Sequence, residues 1–362
     1  MRPVRIALIG CGKVGSIHAA ALSSLPESSF VAVCDSSLER AEAFAGRYGV
    51  RAFADVATML RDAAPEAVVI CTPHPLHAEA AILAAEAGVH VLVEKPLAAS
   101  LADCDAMLAA ARRTGVKLGV VSQRRLYEPV LRMRAAIDAG KIGRPVLGVF
   151  TMYSWRDPAY YQSDPWRGKW ATEGGGVLVN QSPHQLDLLQ WFMGDIDEIS
   201  GYWANLNHPT VEIEDTAVAT IRFKNGGLGA IVTSLSQRPG IYTKVHIHGS
   251  SGASVGVETD RGATFVAGVS NVASPPLNDV WTIPGEEQLL AQFEAEDRAR
   301  FTQIDATHHY HALQVQDFLR AVRDDRPPLV TGEEGRTVVA MFTAIYRSQS
   351  ERRPIKFPVA AE

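Results

Sequence analysis

The sequence predicts an α/β protein in two parts. A doubly wound parallel sheet comes first, followed by an α/β region built on a large, mostly antiparallel open sheet. Three observations predict this. Short apolar runs alternate with helical patterns through residues 1–123. From Ile196 to Val269, strand follows strand between Gly and Asn-Gly turns. The 362 residues, 47% hydrophobic and 21% charged, suit two globular domains with sizeable cores and exclude intrinsic disorder.

In the first part, strands are read at Arg5–Gly10, Phe30–Asp35, Arg51–Phe53, Ala67–Thr72, His90–Glu94 and Leu118–Ser122. Helical stretches lie between them at Ser16–Leu25, Leu38–Tyr48, His77–Ala87 and Leu101–Thr114. Ala67-Val68-Val69-Ile70 is apolar without interruption, as a strand buried on both faces should be. This alternation predicts parallel strands joined by right-handed crossovers. The character changes after Gln123, so domains are drawn at 1–123 and 124–362.

A helix near Pro129–Ala139 opens the second part and leads into a β-like run, Arg144–Ser154. An aromatic segment, Tyr160–Trp170, and the triplet Gly174-Gly175-Gly176 follow, then a helix about Pro183–Met193. Strands are read at Thr216–Phe223, Gly227–Ser236, Tyr242–His248 and Ala253–Glu258, with Asn225-Gly226 as a hairpin turn. Two helices, about His309–Arg323 and Glu333–Gln349, close the chain on either side of Pro327-Pro328.

Charge and cysteine usage narrow the partners. A net charge of −5 offers no basic field for nucleic acid. The apolar run after Met1-Arg2-Pro3 is too short for a secretory segment, and no clean run of apolar residues is long enough to span a bilayer. Cys11, Cys34, Cys71 and Cys104 form no C-x-x-C pair. They read as reduced thiols of a cytoplasmic protein.

Gly10-Cys11-Gly12-Lys13-Val14-Gly15 fits G-x-G-x-x-G between an apolar strand and a helix. The first glycine permits the tight turn, the second admits a pyrophosphate to the backbone, and the third lets helix and strand pack. The helix N-terminus adds free N–H groups and a positive dipole end. A Rossmann dinucleotide-binding domain is therefore expected. Asp35 ends the second strand where a ribose-binding acid belongs, with Ser36 and Arg40 beside it. A carboxylate there favours NAD and repels the extra phosphate of NADP, although NADP stays open. Thr72-Pro73-His74-Pro75-Leu76-His77 ends the fourth strand, Glu94-Lys95-Pro96 the fifth and Gln123 the sixth. In an open α/β sheet these ends face the ligand crevice.

Gly10–Gly15, Thr72–His77 and Glu94-Lys95-Pro96 resemble the glucose–fructose oxidoreductase / inositol dehydrogenase (Gfo/Idh/MocA) family. The stretch Gly174-Gly175-Gly176-Val177-Leu178-Val179-Asn180-Gln181-Ser182-Pro183-His184-Gln185-Leu186-Asp187 looks like its second-domain signature. The resemblance covers essentially the whole chain. It implies a nicotinamide-dependent enzyme that reversibly oxidises a secondary hydroxyl of a sugar, cyclitol or glycoside, and a homodimer or homotetramer. It places Lys95 beside the nicotinamide and the reacting hydroxyl, with a peptide to Pro96 that is often cis. It also turns His184 from an ordinary core histidine into a proton acceptor, since imidazole titrates near neutrality.

Asn180 departs from the aspartate that many members carry. Asparagine cannot take a proton but can hydrogen-bond a hydroxyl through its acceptor or its donors. The expected machinery is Lys95 plus His184, with Asn180 positioning the substrate. Asp187, one turn on, either orients a neighbour or bonds substrate.

Trp166, Arg167 and Trp170, together with Tyr153 at the end of the preceding β-run, are candidates for the substrate end of the site. Aromatic faces stack on sugar C–H surfaces and arginine donates to hydroxyls or a carboxylate. A buried aromatic loop or a subunit contact is the competing reading. Arg124 either binds substrate or rims the site. His308-His309-Tyr310-His311 has no carboxylate placed with it, so no metal is expected. Two readings from other classes stand beside the dehydrogenase. One is an enzyme that keeps its NAD and uses it transiently. The other is a cofactor-binding regulator without catalysis.

Overall fold

The computed structural model describes residues 2–260, 265–266, 269–270 and 274–361. The chain divides into two compact units. The first joins the chain up to Gln123 to Thr307–Val339, and the second comprises Arg124–Ala306 and Ala340–Ala360.

The first unit is built on six strands: β1 (Val4–Ile9), β2 (Ser28–Cys34), β3 (Arg51–Phe53), β4 (Ala67–Ile70), β5 (His90–Val93) and β6 (Leu118–Val120). They pair in the order β3-β2-β1-β4-β5-β6, all parallel. This is the expected Rossmann sheet, and its strand order reverses between β1 and β4. Ile6, Ala7 and Leu8 of β1 and all four residues of β4 are fully buried, as a two-sided sheet requires. The connecting helices start where side chains can cap them. Ser37, Asp55 and Ser100 accept N–H bonds from Arg40, Thr58 and Asp103.

One boundary differs from the sequence reading. Residues 124–362 do not form a single second domain, because the His309–Arg323 helix belongs to the first unit. Val315, Phe318 and Leu319 of that helix are fully buried and join Ile6, Leu8 and Leu22 in one apolar cluster. Val330 and Thr331 then run beside β6. The Val120 N–H donates to the Val330 carbonyl at 3.1 Å, and Gly119 forms an antiparallel bridge with Thr331. The physical reason is exposure: without this return the β1 face and the β6 edge would both be left bare. Nothing in the local pattern of an amphipathic helix names the sheet it will cover.

The second unit carries β7 (Pro145–Tyr153), β8 (Ile196–Ala204), β9 (Thr216–Phe223), β10 (Leu228–Ser234), β11 (Tyr242–Gly249), β12 (Ser254–Asp260), β13 (Phe265–Val266), β14 (Val269–Ser270), β15 (Leu277–Trp281) and β16 (Ile355–Lys356). Eight of them pair in the order β15-β12-β11-β7-β10-β9-β8-β16, while β13 and β14 pair with each other. Within the eight, β7 and β10 run parallel and the remaining pairings are antiparallel. Asn225-Gly226 makes the expected hairpin, with Gly226 at φ +84°. Along β9, buried Ala217, Ala219, Ile221 and Phe223 alternate with exposed or half-buried residues, so one face of the sheet is covered. The Pro183–Met193 helix, nearly all buried, packs on β7 and β11. The aromatic segment holds two short helices, Pro158–Gln162 and Trp170–Glu173.

Phe318 is the largest fully buried apolar side chain of the returning helix. Phe318→Ala should cost about 3–5 kcal/mol, read as a lowered midpoint in urea unfolding. A change below about 1 kcal/mol would contradict the placement of this helix.

Candidate active site

Each unit carries its own constellation. In the first, Gly10 takes φ +100°, and a side chain there would lie 2.7 Å from the Cys71 backbone. A Cβ on Gly15 would lie 2.1 Å from the Gly10 carbonyl oxygen. Strand, loop and helix therefore touch through bare backbone. Gly12 is different: a Cβ there would meet nothing within 4 Å. The Lys13–Ser24 helix opens with no side-chain cap and no acidic residue in its first turn. Its leading N–H groups, on Lys13, Val14 and Gly15, suit a diphosphate approaching over Gly12.

Asp35 follows β2. It accepts N–H bonds from Cys11 and Ser37, each at 2.9 Å, and a bond from Arg40 Nη2 at 2.7 Å. Burial pushes its carboxyl up, but Arg40 and the two amides outweigh that and hold it below the usual range. Arg40 is thus paired with the acid, and Ser36 is exposed beside it. An ionised carboxylate at this position suits a ribose diol.

At the other strand ends, Thr72 Oγ1 and Gln123 Oε1 are buried and make no hydrogen bond. Buried polar atoms are ordinarily satisfied, so two orphans at the ends of β4 and β6 fit a polar ligand laid across the sheet. His74, with Pro73 before it, opens a single 3₁₀ turn. His77 lies deeper. Its ring nitrogens face the Pro96 carbonyl at 3.0 Å and the Thr72 carbonyl at 2.9 Å. Burial lowers its pKa against the pull of those carbonyls. His77 is therefore a brace between two strand ends, where a cofactor contact was expected.

Glu94 is also a brace. Its Oε1 receives His18 Nε2 at 2.8 Å and its Oε2 accepts the Lys95 N–H at 3.1 Å. Burial opposes ionisation, but His18 prevails and brings the carboxyl down to about 2. Lys95, held by this bond, begins the turn, and its peptide to Pro96 is cis, as the resemblance implied. His311 completes the group, its imidazole pushed down to about 4 by burial. The ligand atoms of His18, Glu94 and His311 lie within 4.8 Å of one another, so a carboxylate does accompany a histidine of the His308–His311 run. The 2.8 Å His18–Glu94 contact is a hydrogen bond, closer than the roughly 3.3 Å between two tetrahedral zinc ligands.

In the second unit the signature folds as a π-helical turn, Val177–Gln181, which runs into the Pro183–Met193 helix. Asn180 lies in the turn and His184 in the first turn of the helix, where it is buried. Glu214 shapes the approach. It accepts N–H bonds from Gly176 at 2.8 Å and Leu178 at 3.0 Å, and the Tyr346 hydroxyl at 2.8 Å. A Cβ on Gly176 would lie 1.8 Å from the Glu214 carbonyl oxygen. Burial nevertheless pushes the Glu214 carboxyl up to about 7.

The open questions about charged residues find partners here. Asp187 takes both arms of Arg125, at 2.8 and 2.6 Å, under the Trp191 ring. It is half of a buried ion pair. Arg124, expected at the substrate, is committed to Asp260 at 2.7 Å. Trp170 packs with Trp203 and Tyr346, and Tyr153 packs against Tyr242. Arg167 lies 4.4 Å from the ring centres of both Trp166 and Tyr160 and donates to the Tyr160 hydroxyl at 2.6 Å. That hydroxyl also takes Asn180 Nδ2 at 3.1 Å and Gln181 Nε2 at 2.9 Å. Glu173, almost fully buried, accepts from Asn180 as well. The sequence reading took Tyr160 only as part of the aromatic segment and missed His18, Glu173 and Glu214. His18 stands three residues after Gly15 on the same helix, which was a usable signal. Glu173 and Glu214 carry none in their spacing.

A parallel sheet of this order, with its glycine loop and an acid after β2, defines a dinucleotide-binding fold. Comparison with known proteins narrows the class. Residues 4–122 match the oxidoreductase family with an NAD-binding Rossmann fold, and residues 130–255 match the GFO/IDH/MocA C-terminal domain. Myo-inositol 2-dehydrogenase of Thermotoga maritima is 28% identical, over 98% of each chain. The 1,5-anhydro-D-fructose reductase of Ensifer adhaerens is 31% identical over 62% of this chain and 67% of its own. The WlbA dehydrogenase of Bordetella pertussis, solved with NADH and UDP-GlcNAcA, superposes with a TM-score of 0.83. Its identity is 29%, covering 99% of this chain and all of that one. The chain belongs to the GFO/IDH/MocA family of oxidoreductases with an NAD-binding Rossmann fold, and several of its relatives are sugar and cyclitol dehydrogenases.

Glu214 yields a pH test. Its folded pKa of about 7 lies above its ordinary value of 4.5. Its stabilising share is complete below about pH 4.5 and is lost as pH rises through about 7. The stability of Glu214→Gln relative to the parent chain should therefore improve from about pH 5 to about pH 8, read by chemical denaturation at each pH. A pH-independent difference would refute it.

Proposed function

We propose that the enzyme reversibly oxidises a secondary hydroxyl of a sugar, cyclitol or glycoside, with Lys95 and His184 handling the hydroxyl proton and Asn180 orienting the substrate. Bound NAD supplies the hydride acceptor. The chain's own task is proton management and placement. His184 takes the proton as the carbonyl forms and returns it in the reverse direction. The Lys95 ammonium donates a hydrogen bond to the reacting oxygen and restrains it.

The observation that carries this reading lies around His184. It is buried one turn after Asn180, while Asp187, the neighbouring carboxylate on its helix, is consumed by Arg125 through both oxygens. That leaves the imidazole as the group on this helix able to take up and release a proton. The orphan atoms Thr72 Oγ1 and Gln123 Oε1 and the open space over Gly12 support a nucleotide on the first unit.

The test is a panel of polyols, aldoses and glycosides, with UDP-GlcNAcA included, assayed with NAD and NADP by absorbance of the reduced cofactor. We expect turnover with NAD, and Lys95→Ala and His184→Ala each to lower kcat by about 10²–10⁴-fold. Near-normal turnover in both variants overturns the assignment. Cofactor that copurifies and never leaves as NADH would point to transient use, and binding with no turnover on any substrate to a regulator.

We further propose a homo-oligomer formed through the open face of the larger sheet, in a cytoplasmic protein with unpaired thiols. Exposed Tyr202, Val218, Leu228 and Leu147 lie on that face by strand register. Light scattering should give a dimer or tetramer, reduced to monomer by Val218→Asp with Leu228→Asp. An unchanged mass excludes this face.

A further inference from the structure

Asn180 has two chemically opposite ends, and which one meets the substrate decides what the site can hold. Its amide nitrogen is surrounded by acceptors. Nδ2 donates to Glu173 Oε1 in a very short contact and to the Tyr160 hydroxyl at 3.1 Å. Glu173 is itself fixed. It closes the Trp170–Glu173 helix, is 1% exposed, and its Oε2 accepts the Gly168 N–H at 2.6 Å. Arg167 Nη1 stands 4.0 Å from the Glu173 carboxylate and 2.6 Å from the Tyr160 hydroxyl. Arg156 lies over the Tyr160 ring, 5.4 Å from its centre, and Asp164 holds Arg167 Nε at 3.2 Å.

A carboxylate has only acceptors, so an amide beside it must turn its N–H₂ inward. We propose that Glu173 is a positioning residue that locks the flip of Asn180, so that the carbonyl oxygen Oδ1 is the end Asn180 offers to substrate. This rests on the reading above, in which Asn180 orients the substrate. Its consequence is a rule of specificity. The substrate group opposite Asn180 is a donor, a hydroxyl or an N–H, and a carboxylate or phosphate oxygen is rejected there.

The same geometry accounts for asparagine. Aspartate at this position would set two carboxylates in contact inside a buried pocket, and the pair would retain one proton. With that proton on the aspartate, the new side chain would mimic the amide, donating to Glu173 and presenting its carbonyl. An ionised aspartate would not.

The experiment compares Glu173→Gln, Asn180→Asp and the double variant. Thermal midpoint and NAD affinity serve as controls for folding. Glu173→Gln should lower kcat/KM by about 10–100-fold, as expected when a positioning contact is loosened. Asn180→Asp should gain a limb in its pH–rate profile that the parent lacks, active when the pair holds its proton and failing as pH rises. In the double variant the introduced glutamine amide donates to the introduced carboxylate. The limb should then vanish, and activity at high pH should exceed that of Asn180→Asp alone. A parent-like profile for Asn180→Asp, or unchanged kcat and KM for Glu173→Gln, overturns the proposal. If Asn180→Ala still abolishes turnover in that case, the catalytic reading survives and only the role of Glu173 falls. If Asn180→Ala is fully active, the fault lies in the reading of Asn180 itself.

Discussion

The first unit is organised around one buried charge. Glu94 is ionised in the interior, and an unpaired carboxylate there would be far too costly to keep. His18 from the Lys13–Ser24 helix and the Lys95 amide supply its partners, while His311 from the returning helix closes the group. That single requirement ties the helix after the phosphate loop to the turn that carries Lys95. The segment that returns roughly 200 residues further along the chain places His311 against the same group, while apolar burial holds it there. Apolar burial of Val315, Phe318 and Leu319 supplies the adhesion.

Buried acids in the two units have opposite fates. Glu94 is driven down to about 2, and Glu214 is driven up to about 7, although Glu214 has three hydrogen-bond donors. The difference lies in the donors. An imidazole that can carry charge stabilises an anion far more than amides and a phenol do.

Much of the fold was legible because it follows from short-range rules. The six parallel strands, the glycine loop and the Asn225-Gly226 hairpin each declare themselves within a dozen residues. Gly10–Gly15 and Asp35 stood out because phosphate and ribose binding need those residue types at fixed spacing. Lys95 and His184 were singled out through resemblance, since nothing in periodicity marks them. What stayed hidden depends on contacts distant in sequence. Asp187 and Arg124 looked available until Arg125 and Asp260 were seen to consume them. His77 sat in a motif that suggested a ligand, yet both its nitrogens serve backbone. Glu173 and Tyr160 gain meaning only from the turn that brings Asn180 to them.

The return of Thr307–Val339 to the first unit has a consequence for how the protein is made. A ribosome completes the nucleotide-binding strands by Val120, but the helix that covers them, His309–Arg323, emerges only after the whole of β7 to β15. During that interval the β1 face and the β6 edge lack their cover, and the intervening chain must collapse without capturing them. The connectivity thus denies the gene any stop point between the two units that would leave an intact nucleotide-binding domain behind.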